Sequence, residues 1–123
     1  MGKIERFEDI EAWKLARVLV KTIYEISRAK EFSKDFAFKD QIRRSSISVM
    51  ANIAEGFERF SKKEFAQFLN VARGSAGELR SHLYVAFDIG YIDKTEFEEL
   101  RRQCEIISKY IWNFMKYLKN PTE

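Results

Sequence analysis

The spacing of apolar residues in the second half of the chain constrains the fold most. After Phe65, the positions Leu69, Ala72, Ala76, Leu79, Leu83, Ala86 and Gly90 follow in an unbroken 4-3-4-3-4-3-4 rhythm. Phe97, Leu100, Cys104, Ile107, Ile111, Phe114 and Leu118 repeat the same steps of three and four. An α-helix with about 3.6 residues per turn lines such positions up in one stripe, whereas a strand needs alternation by two. Two seams in succession predict two long helices that cross at about 20°, as in a bundle.

The first half carries the same period in looser form. Ile10, Trp13, Ala16, Val20, Ile23 and Ser27, widened by Leu15, Leu19 and Ile26, predict a helix from about Glu8 to Lys30 that faces two neighbours. Ile42, Ser46, Val49, Ile53 and Phe57 predict another from about Lys39 to Phe60, rich in small residues. Between them Glu31–Phe38, with three phenylalanines, reads as a loop folded back on the bundle. Punctuation supports the same division. Ser61-Lys62-Lys63-Glu64 is a capping box, Asp93-Lys94-Thr95-Glu96 is a box-like second start, Gly90 is a stop, and Asn120-Pro121 ends the last helix. Four long helices with short connections predict an all-α fold, an antiparallel up-down-up-down four-helix bundle spanning residues 1–123 as one domain.

Composition narrows the function classes. Five glycines and one proline leave little material for the turns of a many-stranded β fold. A single cysteine, Cys104, excludes an intramolecular disulfide framework and a cysteine-based zinc site. The first nine residues hold no apolar signal region, and no stretch reaches the roughly 18–20 apolar residues of a membrane span. The expected setting is the reducing cytoplasm, with no membrane partner.

The charge is unevenly placed. The chain carries a net +3, and residues 39–80 hold all of the excess, with eight basic against five acidic side chains. A local excess of this sign favours an anionic partner. Arg43, Arg44, Arg59, Lys62, Lys63 and Arg73 are therefore candidate nucleic-acid contacts, suited to phosphates in a salt-dependent way. Arg44, Ser48, Asn52, Glu55 and Arg59, spaced 4-4-3-4, fall within an arc of roughly 80°. Such a polar stripe among small residues is a solvated face, a binding surface or a polar network at a subunit interface. Gly74 and Gly77 lie inside a helix, where each costs about 1 kcal/mol relative to alanine. Gly74-Ser75-Ala76-Gly77 makes a nearly bare turn, against which a neighbouring helix, from this chain or a second copy, can sit; Gly74, Gly77 and Glu78 join Ser48, Asn52 and Glu55 as candidates for an oligomer interface or polar network.

Catalysis is poorly supplied. His82 is the only histidine, its helical neighbour Glu78 lies four residues earlier, and the Glu-x-x-His pattern of di-metal bundles is absent. Ser45, Ser46 and Ser48 cluster without a base in sequence reach and read as packing residues or surface hydroxyls. No glycine-rich phosphate loop occurs. The arginine–histidine spacing of helical-bundle ribonucleases of the HEPN class is missing too, since one residue intervenes between Arg80 and His82 and eight between Arg73 and His82. The expectation is a non-enzyme without metal or cofactor.

Residues Gln41 to Arg59, with Asn52-Ile53-Ala54-Glu55-Gly56 at their centre, resemble the signature of the four-helix-bundle proteins of the 23S rRNA intervening-sequence type. The likeness continues through Ser61, Lys63-Glu64-Phe65, Phe68-Leu69, Ala72-Arg73-Gly74-Ser75, Glu78-Leu79 and Gly90-Tyr91-Ile92, and the opening Phe7–Ala16 is similar as well. Members are often encoded within bacterial 23S rRNA genes. A related branch, the accessory variability determinant of diversity-generating retroelements, forms a pentameric ring with a basic surface that binds a reverse transcriptase and nucleic acid. The resemblance thus implies a homo-oligomer, a pentamer by that analogy, with RNA, DNA or a ribonucleoprotein component as partner. The alternative is a protein–protein interaction scaffold. The chain departs from the pattern at Met50, where many relatives have proline, and at Arg80, where an acidic residue is common.

Overall fold

The computed structural model describes residues 3–119. A 3-10 turn at Phe7–Asp9 leads into α1 (Glu11–Ile26), followed by a short α2 (Lys30–Lys34), then α3 (Phe36–Phe57), α4 (Lys62–Asp88) and α5 (Lys94–Lys119). No strand occurs among the described residues. The four long helices close into an antiparallel bundle: α3 packs along α4, α4 along α5, and α1 lies against both α3 and α5.

The core follows the seams. Leu69, Ala72, Ala76, Leu79, Leu83 and Ala86 of α4 meet Leu100, Cys104, Ile107 and Ile111 of α5, all buried. Ile42, Val49 and Ile53 close the layer from α3, and Ala16, Leu19 and Ile23 close it from α1. Each leucine or isoleucine withdrawn from water contributes about 1.5–3 kcal/mol, which fixes the faces far more firmly than propensity does. Burial also pushes the Cys104 thiol up to about 12, because an apolar surrounding disfavours the thiolate.

The predicted starts and stops are made in the way their chemistry requires. Ser61 Oγ accepts from the Glu64 amide at 3.1 Å. Asp93 and Glu96 form a reciprocal box, with each carboxylate accepting the other's backbone N–H, at 2.8 and 3.0 Å. At the end of α4 the Tyr91 amide donates to Ala86 O and the Gly90 amide to Phe87 O. This paired closure places Gly90 at φ +84, a conformation in which a Cβ is strained. The expected stop at Asn120-Pro121 lies outside the described residues.

The boundaries of the first half differ from the sequence reading. The first helix ends at Ile26 rather than Lys30: the Ser27 amide makes the last i→i−4 bond, to Ile23 O, and the Arg28 and Ala29 amides tighten to Glu25 O and Ile26 O. The expected loop at Glu31–Phe38 is instead α2 plus the first turn of α3. Asp35 starts α3 early, its Oδ1 accepting from the Phe38 amide at 3.3 Å. The other oxygen, Oδ2, accepts the Tyr91 hydroxyl at 2.8 Å. Phe32 is buried in a three-ring cluster with Phe38 and Tyr91, so the segment does fold back on the bundle, as a helix.

Two helices approach closely at Gly56, late in α3. A Cβ built there would stand 2.7 Å from Phe68 Cβ and 2.9 Å from Phe65 Cδ1. The small side chain thus lets α3 lie against the first turns of α4. Gly74 and Gly77, in contrast, have nothing within 4 Å of an added Cβ, so the bare turn of α4 receives no helix of this chain.

Candidate nucleic-acid interface

The bundle's topology decides which cations meet. In antiparallel neighbours, the first turns of α4 lie beside the last turns of α5. Lys62 and Lys63 from α4 therefore face Lys116 and Lys119 from α5 across an open groove of about 740 Å³. Its floor includes Trp112 and Met115, and among the described residues no carboxylate lines it. Arg73, about three turns further along α4, places its guanidinium 5.0 Å from the Trp112 ring centre, and the Lys116 ammonium lies 6.0 Å from it. None of these five cations forms an ion pair with a described carboxylate. Their field is uncompensated at close range and attracts anions.

The remaining candidate cations have partners within the chain. Arg43 points inward: its Nε donates to Ser27 Oγ at 2.8 Å, and its guanidinium lies 4.3 Å from the Tyr24 ring centre. It joins α3 to the end of α1. Arg44 is exposed and bonded to Asp40 at 2.7 Å, which holds its guanidinium still more firmly protonated. Arg59 pairs with Glu55 at 2.6 Å and stacks over Phe68 at 4.6 Å. The sequence candidates thus divide: Lys62 and Lys63 line the groove and Arg73 lies against its Trp112, while Arg43 and Arg44 on α3, and Arg59 in the connection to α4, have local partners. Trp112, Lys116 and Lys119 were missed. A helical alignment running α4 antiparallel to α5 would have found them, since the two helices share that end.

The polar stripe of α3 lies partly in the seam with α4. Ser48 Oγ and Ser75 Oγ are 2.8 Å apart, and Asn52 Nδ2 donates to Ser48 O at 2.8 Å and to Ser48 Oγ at 3.0 Å. Glu55 is drawn to Arg59, and Glu78 stands exposed on α4. Beside this network Val71, Gly74 and Gly77 leave an exposed strip of small and apolar surface.

Ser45 Oγ comes within 3.2 Å of His82 Nδ1, a pairing the sequence distance concealed. The hydroxyl also donates to Ile42 O at 3.0 Å, and Ser45 is buried. The edge-to-face ring of Phe38 lies 6.0 Å from the imidazole. A nucleophilic serine needs an accessible oxygen and a base oriented by a third group. Ser45 has a buried oxygen tied to the backbone, and the one hydrogen bond of His82 among the described residues is to Ser45 itself. Among the described residues no three metal-ligating side chains come together.

Fold and surface define a class first: an all-α four-helix-bundle protein whose one end carries a basic, aromatic-floored groove. The chain belongs to the 23S rRNA-intervening sequence protein family, whose model matches residues 8–113. Among solved structures it is similar to a protein of unknown function from the S23 ribosomal protein family of Bacteroides thetaiotaomicron VPI-5482. That likeness has a TM-score of 0.79 at 24% identity and covers 85% of this chain and 95% of the other. It shows the fold. No curated protein matches. No described helix is long and apolar enough to cross a membrane.

Proposed function

We propose that this chain is a non-enzymatic nucleic-acid-binding module that acts as a homo-oligomer, with RNA or a ribonucleoprotein as its partner. One observation carries the reading: four lysines line a groove that holds no carboxylate among the described residues, Arg73 lies against its Trp112, and none of the five pairs with a described carboxylate. Flexible basic side chains meeting phosphates release condensed counterions, so affinity falls steeply with salt and depends little on sequence. Repetition around an oligomer, five-fold by the family analogy, multiplies a modest charge per chain. The exposed strip at Val71, Gly74 and Gly77 suits contact between copies, since the chain itself covers neither glycine.

The test is fluorescence anisotropy with unrelated RNA sequences over a salt series. Lys62→Glu with Lys63→Glu should weaken binding equally for all sequences and reduce the salt slope by about two counterions' worth. Neither substitution touches the Ser61–Glu64 cap, so helix content should stay constant. A double variant that binds RNA as tightly as the parent would overturn the reading. The scaffold alternative is favoured by the same exposed strip. Gly77→Leu and the salt series separate the two: a parent that binds no RNA at any salt, and loses oligomer mass in light scattering on Gly77→Leu, points to the scaffold.

A further inference from the structure

We infer that the groove between the start of α4 and the end of α5 takes a single strand, with one unpaired base stacked on Trp112 and the neighbouring phosphates held by Lys62, Lys63, Lys116 and Lys119. This rests on the nucleic-acid reading above and specifies its ligand.

Charge alone does not require a tryptophan. Duplex backbones are gripped by basic and hydroxyl side chains and backbone amides, and their bases are already stacked. Single strands are held by a different combination, a basic track with aromatic faces on which free bases lie. The groove has that combination. Trp112 is large and apolar, yet 44% exposed on the surface of α5. Arg73 and Lys116 approach its ring at 5.0 and 6.0 Å, so the indole is flanked by the cations that would neutralise the phosphates on either side of a stacked base. Met115 and Ala66 extend the floor with apolar surface, and Gln67 and Asn70 supply amides at its rim. The groove's volume, about 740 Å³, falls in the range of sites that hold one small ligand. That suits one nucleoside with its phosphates.

The second basic surface of the molecule makes an instructive contrast. Tyr24, Phe36, Arg43 and Arg44 line a smaller depression of about 440 Å³, and Phe36 there is 73% exposed with Lys39 4.9 Å from its ring centre. Asp40 lies in that lining, however, Arg44 is bonded to it, and Lys39 donates to Ser33 O at 3.0 Å. Its cations are satisfied locally. The absence of carboxylates among its described lining residues distinguishes the Trp112 groove and selects a polyanion as its occupant.

The chain has two tryptophans, and Trp13 packs edge-on against Phe7 at 5.2 Å, away from the groove. Trp13→Phe therefore leaves Trp112 as the only indole reporter. Its emission should be quenched as short oligouridine is added, and much less by an RNA duplex of equal length. In that background Trp112→Phe should retain oligouridine affinity within a few-fold. Trp112→Leu, which keeps apolar bulk and removes the π-face, should lose about tenfold or more, the contribution of one stacked base. Duplex affinity and the salt slope should be the same in all three. If Trp112→Leu binds oligouridine as tightly as the parent while both still bind RNA, the stacking assignment is refuted and the basic-groove reading survives. If the parent binds no nucleic acid, both are refuted. If polyglutamate quenches Trp112 and displaces oligouridine at equal charge, the groove belongs to an acidic protein segment and the assignment is again overturned.

Discussion

Replacing Gly56 with alanine adds one methyl group at a close approach of two helices. The new Cβ would lie 2.7 Å from Phe68 Cβ, 2.9 Å from Phe65 Cδ1 and 3.2 Å from Phe65 O. Carbon atoms pack best at about 3.5–4.0 Å, so the approach to Phe68 is about 1 Å too short. The Phe65 ring can tilt away. Phe68 Cβ and Phe65 O cannot, because both are fixed to the backbone of α4. The two helices must part locally, which costs about 1–3 kcal/mol in comparable overpacked sites. Alanine's better helix propensity offsets at most about 1 kcal/mol, and less here because Gly56 lies in the last turn of α3. A net loss of about 1–2 kcal/mol corresponds to a fall in Tm of about 5–10 °C for a chain of this size. Gly77→Ala is the matched control: with open space around its Cβ, it should raise stability by up to about 1 kcal/mol. Both are read by circular dichroism during thermal and urea unfolding, at one protein concentration because assembly contributes to the apparent value. A Gly56→Ala variant that melts at or above the parent would refute the close-approach argument.

Two further outcomes follow from titrating groups. Cys104 should resist thiol reagents at neutral pH in the folded protein and react fully once unfolded, since burial holds its thiol near 12; rapid native labelling would contradict the packing of α5. The Tyr91 phenol is raised above its ordinary value by its hydrogen bond to Asp35, so it should ionise after an unperturbed tyrosine on alkaline titration by ultraviolet absorbance. A raised folded value means that this contact supports folding below pH about 10 and is lost as pH climbs further. Tyr91→Phe should remove that dependence.

The second half of the fold was legible because its seams are nearly all apolar and its boundaries are marked by side chains with one obvious use. Every α4 seam position from Phe65 to Ala86 is buried, and Gly90 stands where α4 stops. The start of α3 was less legible. Asp35 caps it, but the aromatic run around it looked like loop packing, and its second role as the acceptor for Tyr91 joins residues far apart in sequence. The close approach at Gly56 was hidden among many small residues, of which it is the one whose Cβ would collide. The site was half legible. A charge tally along the chain found Lys62, Lys63 and Arg73, and could not find Lys116, Lys119 or Trp112, because their proximity is a property of the antiparallel arrangement. The same tally gave Arg43 as a surface cation, whereas the hydroxyl of Ser27 and the ring of Tyr24 draw it against α1.

The order in which the helices neighbour one another also governs how fast such a chain finds its shape. α3 meets α4 and α4 meets α5 across short connections, so most of the core forms between segments adjacent in the sequence. Closing small loops costs little entropy, and chains built on local contacts fold in about microseconds to milliseconds. The α1–α5 contact alone joins the first long helix to the last. It is the natural final step of assembly and the first seam to part in a thermal fluctuation, which leaves the α3–α4–α5 unit, with the basic groove between its last two helices, as the slow-exchanging part of the molecule.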